Sequence, residues 1–148
     1  MSVDRSIDPT ADQVRALRDA RDDGPVTMVN LLKFRARARY EDDAVAPCSG
    51  REAYARYKHA FTETVGAVSQ AQVVFSGPVQ QLFIGTAGAP EADWDEVLVV
   101  RYPSRRHFLA MMADPVYREA LRHRYAGLER TVLLQCATGP AGAVEPPA

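Results

Sequence analysis

Apolar residues recur along this chain at two periods, and the periods divide it into elements. From Val26 to Phe34 they alternate. Val26, Met28, Asn30, Leu32 and Phe34 fall on one face, and Thr27, Val29, Leu31 and Lys33 on the other, because a strand turns successive side chains to opposite sides. Both faces are largely apolar, which suits a central strand covered on both sides. From about 51 to 68 the step lengthens to three and four residues. Tyr54, Tyr57, Phe61, Val65 and Val68 then share one face of a helix that turns ~100° per residue.

Shorter signals complete the chain. Residues 1–9 read as a loose arm. Thr10 and Gln13 have capping-box spacing ahead of Val14 and Leu17, which predicts a surface helix over about 10–22. Gln72–Ile84 reads as one long strand kinked or bulged at Gly77-Pro78. A tight hairpin there would place proline where such turns disfavour it. Val97–Tyr102 is a strand. Ser104 caps a short helix carrying Phe108, Leu109, Met111 and Met112. Asp114-Pro115 is a cap followed by proline at the first helical position, opening a helix to about 128. A last strand runs from Arg130 or Thr131 to Ala137, with Cys136 alternating into the core beside Val132 and Leu134. The Pro/Ala-rich tail over 139–148 has no core-forming residues.

After the first helix the order is β-α-β-β-α-β. That is the ferredoxin-like, split βαβ arrangement of an α+β fold, an antiparallel sheet with helices on one face. The domain is expected over 24–138, preceded by an arm and helix over 1–23 and followed by a flexible tail over 139–148. The second sheet face is apolar too, and too few helices exist to cover it. Two copies packed sheet to sheet would do so, which predicts a homodimer.

Three stretches carry a family resemblance. They are Pro25-Val26-Thr27-Met28-Val29-Asn30-Leu31-Leu32-Lys33-Phe34-Arg35, Gly50-Arg51-Glu52-Ala53-Tyr54-Ala55-Arg56-Tyr57, and Asp93-Trp94-Asp95-Glu96-Val97-Leu98-Val99-Val100-Arg101-Tyr102-Pro103-Ser104. With Phe108 to Tyr117 and the pair His123-Arg124, they resemble domain-of-unknown-function family 1330 over about 25–137. The resemblance implies a dimeric α+β barrel and brings no activity. The wider superfamily is similar in architecture to antibiotic-biosynthesis monooxygenases, muconolactone isomerases and haem-handling barrels, among which fold does not transfer function.

Composition narrows the partners. The 148 residues suffice for one core, and a formal charge of −1 gives no reason to expect nucleic acid or an anionic membrane. No apolar run approaches the ~18 residues of a membrane span, and the first residues lack a signal-peptide core, so a cytoplasmic location is expected. Cys48 and Cys136 form neither a CxxC pair nor a zinc spacing. There is no P-loop, GxGxxG or GxSxG, and no HxxxH, HxH or carboxylate triad, so neither metal nor other cofactor is expected.

Two residues are unusual. Asn30 sits mid-strand among apolar neighbours, so its amide either bonds backbone and fixes register, or turns into a pocket and orients a carbonyl or oxyanion. Arg124 projects within the stripe of Tyr117, Leu121 and Leu128, where a guanidinium needs a carboxylate, a ligand anion or a route to water. Asp93, Asp95 and Glu96 are candidate partners for it. His123 has Glu119 four residues earlier, a pairing that would raise its pKa and orient the ring. His59 and His107 read as surface residues. The enzyme reading is a small, mostly apolar pocket for an acidic or carbonyl-bearing metabolite, worked on without a cofactor by an isomerase, lyase or oxygenase. Arg124 anchors the anion, with Tyr57 and Tyr102 beside it. Asn30 and Tyr54 polarise a carbonyl, and His123 moves the proton. The alternatives are a non-catalytic ligand-binding or structural dimer, in which Asn30 and Arg124 are spent on protein groups, and a haem-handling barrel.

Overall fold

In a computed structural model the chain is described over residues 6–42, 44–62 and 66–137. Strand β1 (Val26–Phe34) is one of the two inner strands of the sheet. It pairs antiparallel with β3 (Glu96–Tyr102) on one side and with β4 (Leu128–Ala137) on the other. Strand β2 (Gln72–Pro78) adds to the far edge of β3, giving the order β2-β3-β1-β4. This is the expected ferredoxin-like sheet, antiparallel throughout.

Register puts Val26 opposite Tyr102, Met28 opposite Val100 and Asn30 opposite Leu98, so these side chains share a face. Helices α2 (Gly50–Ala60), α4 (Arg105–Ala113) and α5 (Pro115–Gly127) lie against that face. The Phe34 ring meets Tyr54 of α2 at 5.4 Å, and Tyr102 meets Phe108 of α4 edge-on at 5.1 Å. Helix α1 (Ala11–Asp19) has the predicted capping box at Thr10 and Gln13, buries no residue fully, and rests on α4. The predicted caps at Ser104 and Asp114 also form. The Ser104 side chain accepts from the His107 N–H, and Asp114 from those of Val116 and Tyr117.

Several expectations need correction. Helix α2 stops at Ala60 rather than 68. Phe61 and Thr62 continue with wider π-type turns, residues 63–65, Val65 among them, lie outside the described residues, and a further helical turn, α3 (Gly66–Ser69), follows; Val68 on it is exposed rather than buried. Strand β2 ends at Pro78 instead of continuing to Ile84. A bulge lies between Val73 and Phe75, and Pro78, which has no N–H to donate, closes the ladder. Beyond it Leu82, Phe83 and Ile84 are exposed. The N-terminal arm is not loose over its described part. Ile7 is buried, and the Thr131 N–H donates to the Ser6 carbonyl at 2.8 Å. Cys136 is exposed, not core, because its alternation points it away from the helices. The tail over 139–148 lies outside the described residues.

One contact was not anticipated. Helices α2 and α5 run antiparallel and meet backbone to backbone at Gly50 and Gly127. A Cβ on Gly50 would lie 2.2 Å from the Arg35 carbonyl oxygen and 2.7 Å from that of Gly127. The Arg35 N–H donates to the Gly127 carbonyl at 2.8 Å, and the Gly50 N–H donates to the Arg35 carbonyl at 3.0 Å. Substituting Gly50→Ala must therefore push apart backbone, which cannot rotate away as a side chain can. A loss of about 3 kcal/mol is expected, the upper end of the usual range for overpacking. It should appear as a lowered urea midpoint; an unchanged midpoint would disprove the close approach.

Candidate functional site

The helices and sheet leave a cleft of about 1790 Å³ between them. This is not the small pocket expected, since binding cavities commonly run about 300–1,000 Å³. Its floor is the sheet face of Met28, Asn30, Leu98, Val100 and Tyr102, and its helical wall includes Tyr54, Tyr57, Tyr117 and Arg124. The arm residues Ser6 to Pro9 and Val14 and Leu17 of α1 close another side. The cleft is basic overall: Arg35, Arg39, Lys58, Arg118, Arg122 and Arg124 line it against Asp8, Glu41 and Asp42.

Arg124 lies one helical turn before Gly127, so the α2–α5 junction sets its position. Its side chain is 16% exposed, and its nearest carboxylate is Asp8 of the arm, with Nη1 to Oδ1 at 4.0 Å. That is an ion pair without a hydrogen bond. Burial works against the charge, but the Tyr57, Tyr117 and Tyr54 oxygens and Asp8 outweigh it, and the pKa lies above its ordinary value. The guanidinium is therefore a permanent cation at the wall of an aromatic cleft. The carboxylates expected to meet it are engaged elsewhere. Asp93 and Asp95 lie against Lys33 at 3.1 and 3.5 Å, and Glu96 binds Lys58 at 3.0 Å.

Asn30 faces the cleft, but its NH2 group is occupied. Nδ2 donates to the Leu98 carbonyl at 3.0 Å and lies 3.5 Å from that of Met28. Two carbonyls at one end of the amide require the nitrogen there, so Oδ1 is the end turned away from them. Among the described residues that oxygen has no partner, and it is not sealed off, since Arg35 Nε is the side-chain polar atom that is fully covered and unpartnered. Asn30 thus offers the cleft an acceptor, not the donor an oxyanion needs.

The tyrosines divide by partner. The Tyr57 hydroxyl donates to that of Tyr117 at 3.2 Å, and Tyr102 donates to the Met111 sulfur at 3.7 Å. The Tyr54 hydroxyl has no partner among the described residues. Burial, first of all, raises the pKa of Tyr54, Tyr57 and Tyr102, so all three stay neutral. Tyr125, near Asp8, is pushed up to about 12 by burial and that carboxylate. Tyr54 is the free neutral hydroxyl of the group.

His123 does not join this set. It is not among the residues lining the cleft, although its partner Tyr40 is. Its Nδ1 lies 2.7 Å from the Tyr40 hydroxyl, which also accepts from Arg56 Nη1 at 3.3 Å. Arg56 can only donate, which favours the Tyr40 proton on the side of Nδ1 and a neutral ring protonated at Nε2. The expected upward pull of Glu119 is present but outweighed. Burial, then Arg122 and Arg56, lower the His123 pKa, and Glu119 itself pairs with Arg122 at 3.4 Å. His59 is exposed, and His107 Nδ1 lies 2.8 Å from the Ser104 hydroxyl. None of the three histidines lines the cleft, so no imidazole is offered there to a haem iron. Among the described residues, no cluster of three or more His, Cys, Asp or Glu is placed to hold a metal, and no helix is long and apolar enough to cross a membrane.

Comparison with known proteins now places the chain. A family model for a domain of unknown function, DUF1330, matches residues 45–136. The chain belongs to the DUF1330 family. The model's span includes Tyr54, Tyr57, Tyr102, His123 and Arg124 but not Asn30. A protein of unknown function from Rhodopseudomonas palustris is 34% identical, with 95% of this chain and 98% of that one covered at a TM-score of 0.79. A methylated form of the same protein gives 36% identity, 88% and 93% coverage and a TM-score of 0.76. A dimeric ferredoxin-like protein of unknown function from Thermobifida fusca shares the fold at 18% identity, 78% and 92% coverage and a TM-score of 0.50. No curated protein matches. DUF1330 membership therefore gives the fold, and the chemistry must be argued from the side chains.

The Tyr40 contact is open to direct test. The His123 imidazole should titrate below 6.5 when followed by proton NMR, and Arg56→Gln should move it upward by removing one of the lowering charges. Because the folded value is depressed, the unfolded chain takes the proton more readily. The stability His123 contributes is then complete above about 6.5 and declines as pH falls below it. A folded-state value above 6.5 would contradict this arrangement.

Proposed function

We propose that this protein binds a small organic anion in the cleft between sheet and helices, with Arg124 as its anchor. The observation that carries this reading is a partly buried guanidinium, 16% exposed, with one carboxylate at 4.0 Å and no hydrogen bond among the described residues, facing a basic, aromatic-lined cleft. A carboxylate arriving between Arg124 and the Tyr54 hydroxyl makes charge-assisted bonds with donors that no protein acceptor already holds among the described residues. Tyr57 and Tyr102, already bonded to protein atoms, shape the cavity. The chemistry such a site suits is proton transfer on a bound acid or carbonyl compound, as in an isomerase, lyase or cofactor-free oxygenase. Tyr54 is the neutral donor beside the ligand, and His123 Nδ1 is placed to accept the Tyr40 proton as Tyr40 takes one from the cleft. A binding protein without turnover would use the same anchor.

Calorimetric titration with benzoate checks this reading. Wild type should bind, and Arg124→Met should weaken binding at least about tenfold, the worth of a charged hydrogen bond. Asp8→Asn should strengthen binding, because it removes the negative charge beside the anchor. Equal affinity in wild type and Arg124→Met would sink the assignment.

We also propose that the outer sheet face pairs with a second copy. Phe75, Val132 and Leu134 are exposed there at 54%, 37% and 51%, beside half-buried Val29, Leu31, Val97 and Val99. An apolar face of this kind marks an association surface, and the Thermobifida protein is itself described as dimeric. Light scattering should give the mass of two chains for wild type and of one for Leu134→Glu. A monomeric wild type would remove the proposal.

A further inference from the structure

We infer that Asn30 makes the cleft selective for anions that also carry a hydroxyl or N–H donor, so that the ligand class is a hydroxy or amino acid rather than a simple keto acid. The inference deepens the proposed anion site and rests on it. Its own support is the direction of one amide. The Leu98 and Met28 carbonyls hold the Asn30 nitrogen against the sheet, at 3.0 and 3.5 Å. Rotating the amide would set its oxygen against both carbonyls and leave its nitrogen without them, so the orientation is fixed by the strands and not by a ligand. Oδ1 then stands on the cleft floor as an acceptor that no donor among the described residues satisfies.

An acceptor in this position discriminates by polarity. A ligand hydroxyl or N–H that reaches it completes its hydrogen bond. A ligand carbonyl or ether there meets oxygen with oxygen, and both lose the water they had. The Tyr54 hydroxyl, also unpartnered among the described residues, cannot impose this choice, since a hydroxyl donates or accepts as required. Arg124 donates only. The pair of fixed demands, a donor-only cation on the helical wall and an acceptor-only oxygen on the floor, therefore describes a ligand that is negative at one group and a donor at another. The apolar and aromatic lining between them suits a ring or hydrocarbon body.

A matched set of aromatic acids tests this on the unmodified protein. Benzoate serves as the reference, with its 2-, 3- and 4-hydroxy derivatives and the corresponding methoxy derivatives, which accept but cannot donate. At least one hydroxybenzoate should bind about tenfold more tightly than benzoate, the worth of one hydrogen bond to an otherwise unpaired group. Its methoxy counterpart should fall to benzoate's affinity or below. In Asn30→Leu the hydroxy preference should vanish while benzoate still binds. If benzoate binds but no hydroxy isomer exceeds it, or a methoxy derivative equals its hydroxy partner, or Asn30→Leu keeps the preference, the inference is wrong and the anion site stands. If none of the acids binds wild type, the anion site falls and this inference with it.

Discussion

The whole cleft depends on two glycines that touch. Gly50 opens α2 and Gly127 closes α5, and the missing Cβ atoms let the two helices and the Arg35 backbone meet at contact distance. Neither glycine is needed for a left-handed backbone, since neither has a positive φ. They are needed for closeness. The junction fixes one end of the helix pair, and the contact between the Tyr57 and Tyr117 rings at 6.2 Å fixes the other. Tyr54 and Arg124 lie one turn from the junction on their two helices, and so their position against the sheet is determined by backbone rather than by side-chain packing.

Holding Arg124 this rigidly has an energetic consequence. A buried guanidinium is tolerable when hydrogen-bonded on all sides, and replacing such groups by apolar ones is often neutral or stabilising. Here the surroundings supply tyrosine oxygens and one carboxylate at 4.0 Å, enough to keep the charge but not to bond it. The carboxylate comes from the arm, which is attached to β4 through the Ser6 carbonyl and by burial of Ile7. That counter-ion is also bonded to Tyr125. An incoming anion therefore competes at Arg124 with one carboxylate that makes no hydrogen bond to it, not with a completed network.

Most of the fold was legible because it is written in short-range pattern. The β1 span, the capping box of α1 and the caps at Ser104 and Asp114 all follow from neighbours within a few residues. The misses have longer reach. Periodicity carries α2 past Ala60 because Phe61, Val65 and Val68 continue its spacing; Phe61 is buried as that spacing requires, but Val68 is exposed. The apolar run after Pro78 suggested more strand, although no neighbouring strand extends far enough to pair with it. The partner of Arg124 was sought near β3, since spacing along one chain gives no sign that residue 8 lies beside residue 124. Asn30 and Arg124 stood out as polar groups in apolar stripes. Which end of the amide faces the cleft was beyond sequence, because it is set by a cross-strand carbonyl that only the register supplies.

Size and polarity then divide the work of recognition in this cleft. At about 1790 Å³ the cavity is too roomy for shape alone to choose among small ligands. One methylene more or less in an apolar pocket changes binding by only ~1–3 kcal/mol, whereas a site built around a hydrogen bond rejects a ligand that leaves it unpaired far more strongly. Three of the polar groups of the cleft are placed by backbone: Asn30 by strand carbonyls, Arg124 and Tyr54 by the helix junction. Polar points held in this way discriminate by chemical type and tolerate variation in the body of a ligand. On the proposed reading the cleft would accept a class of acids rather than one compound, the class being set by the groups that Arg124 and Asn30 can bond.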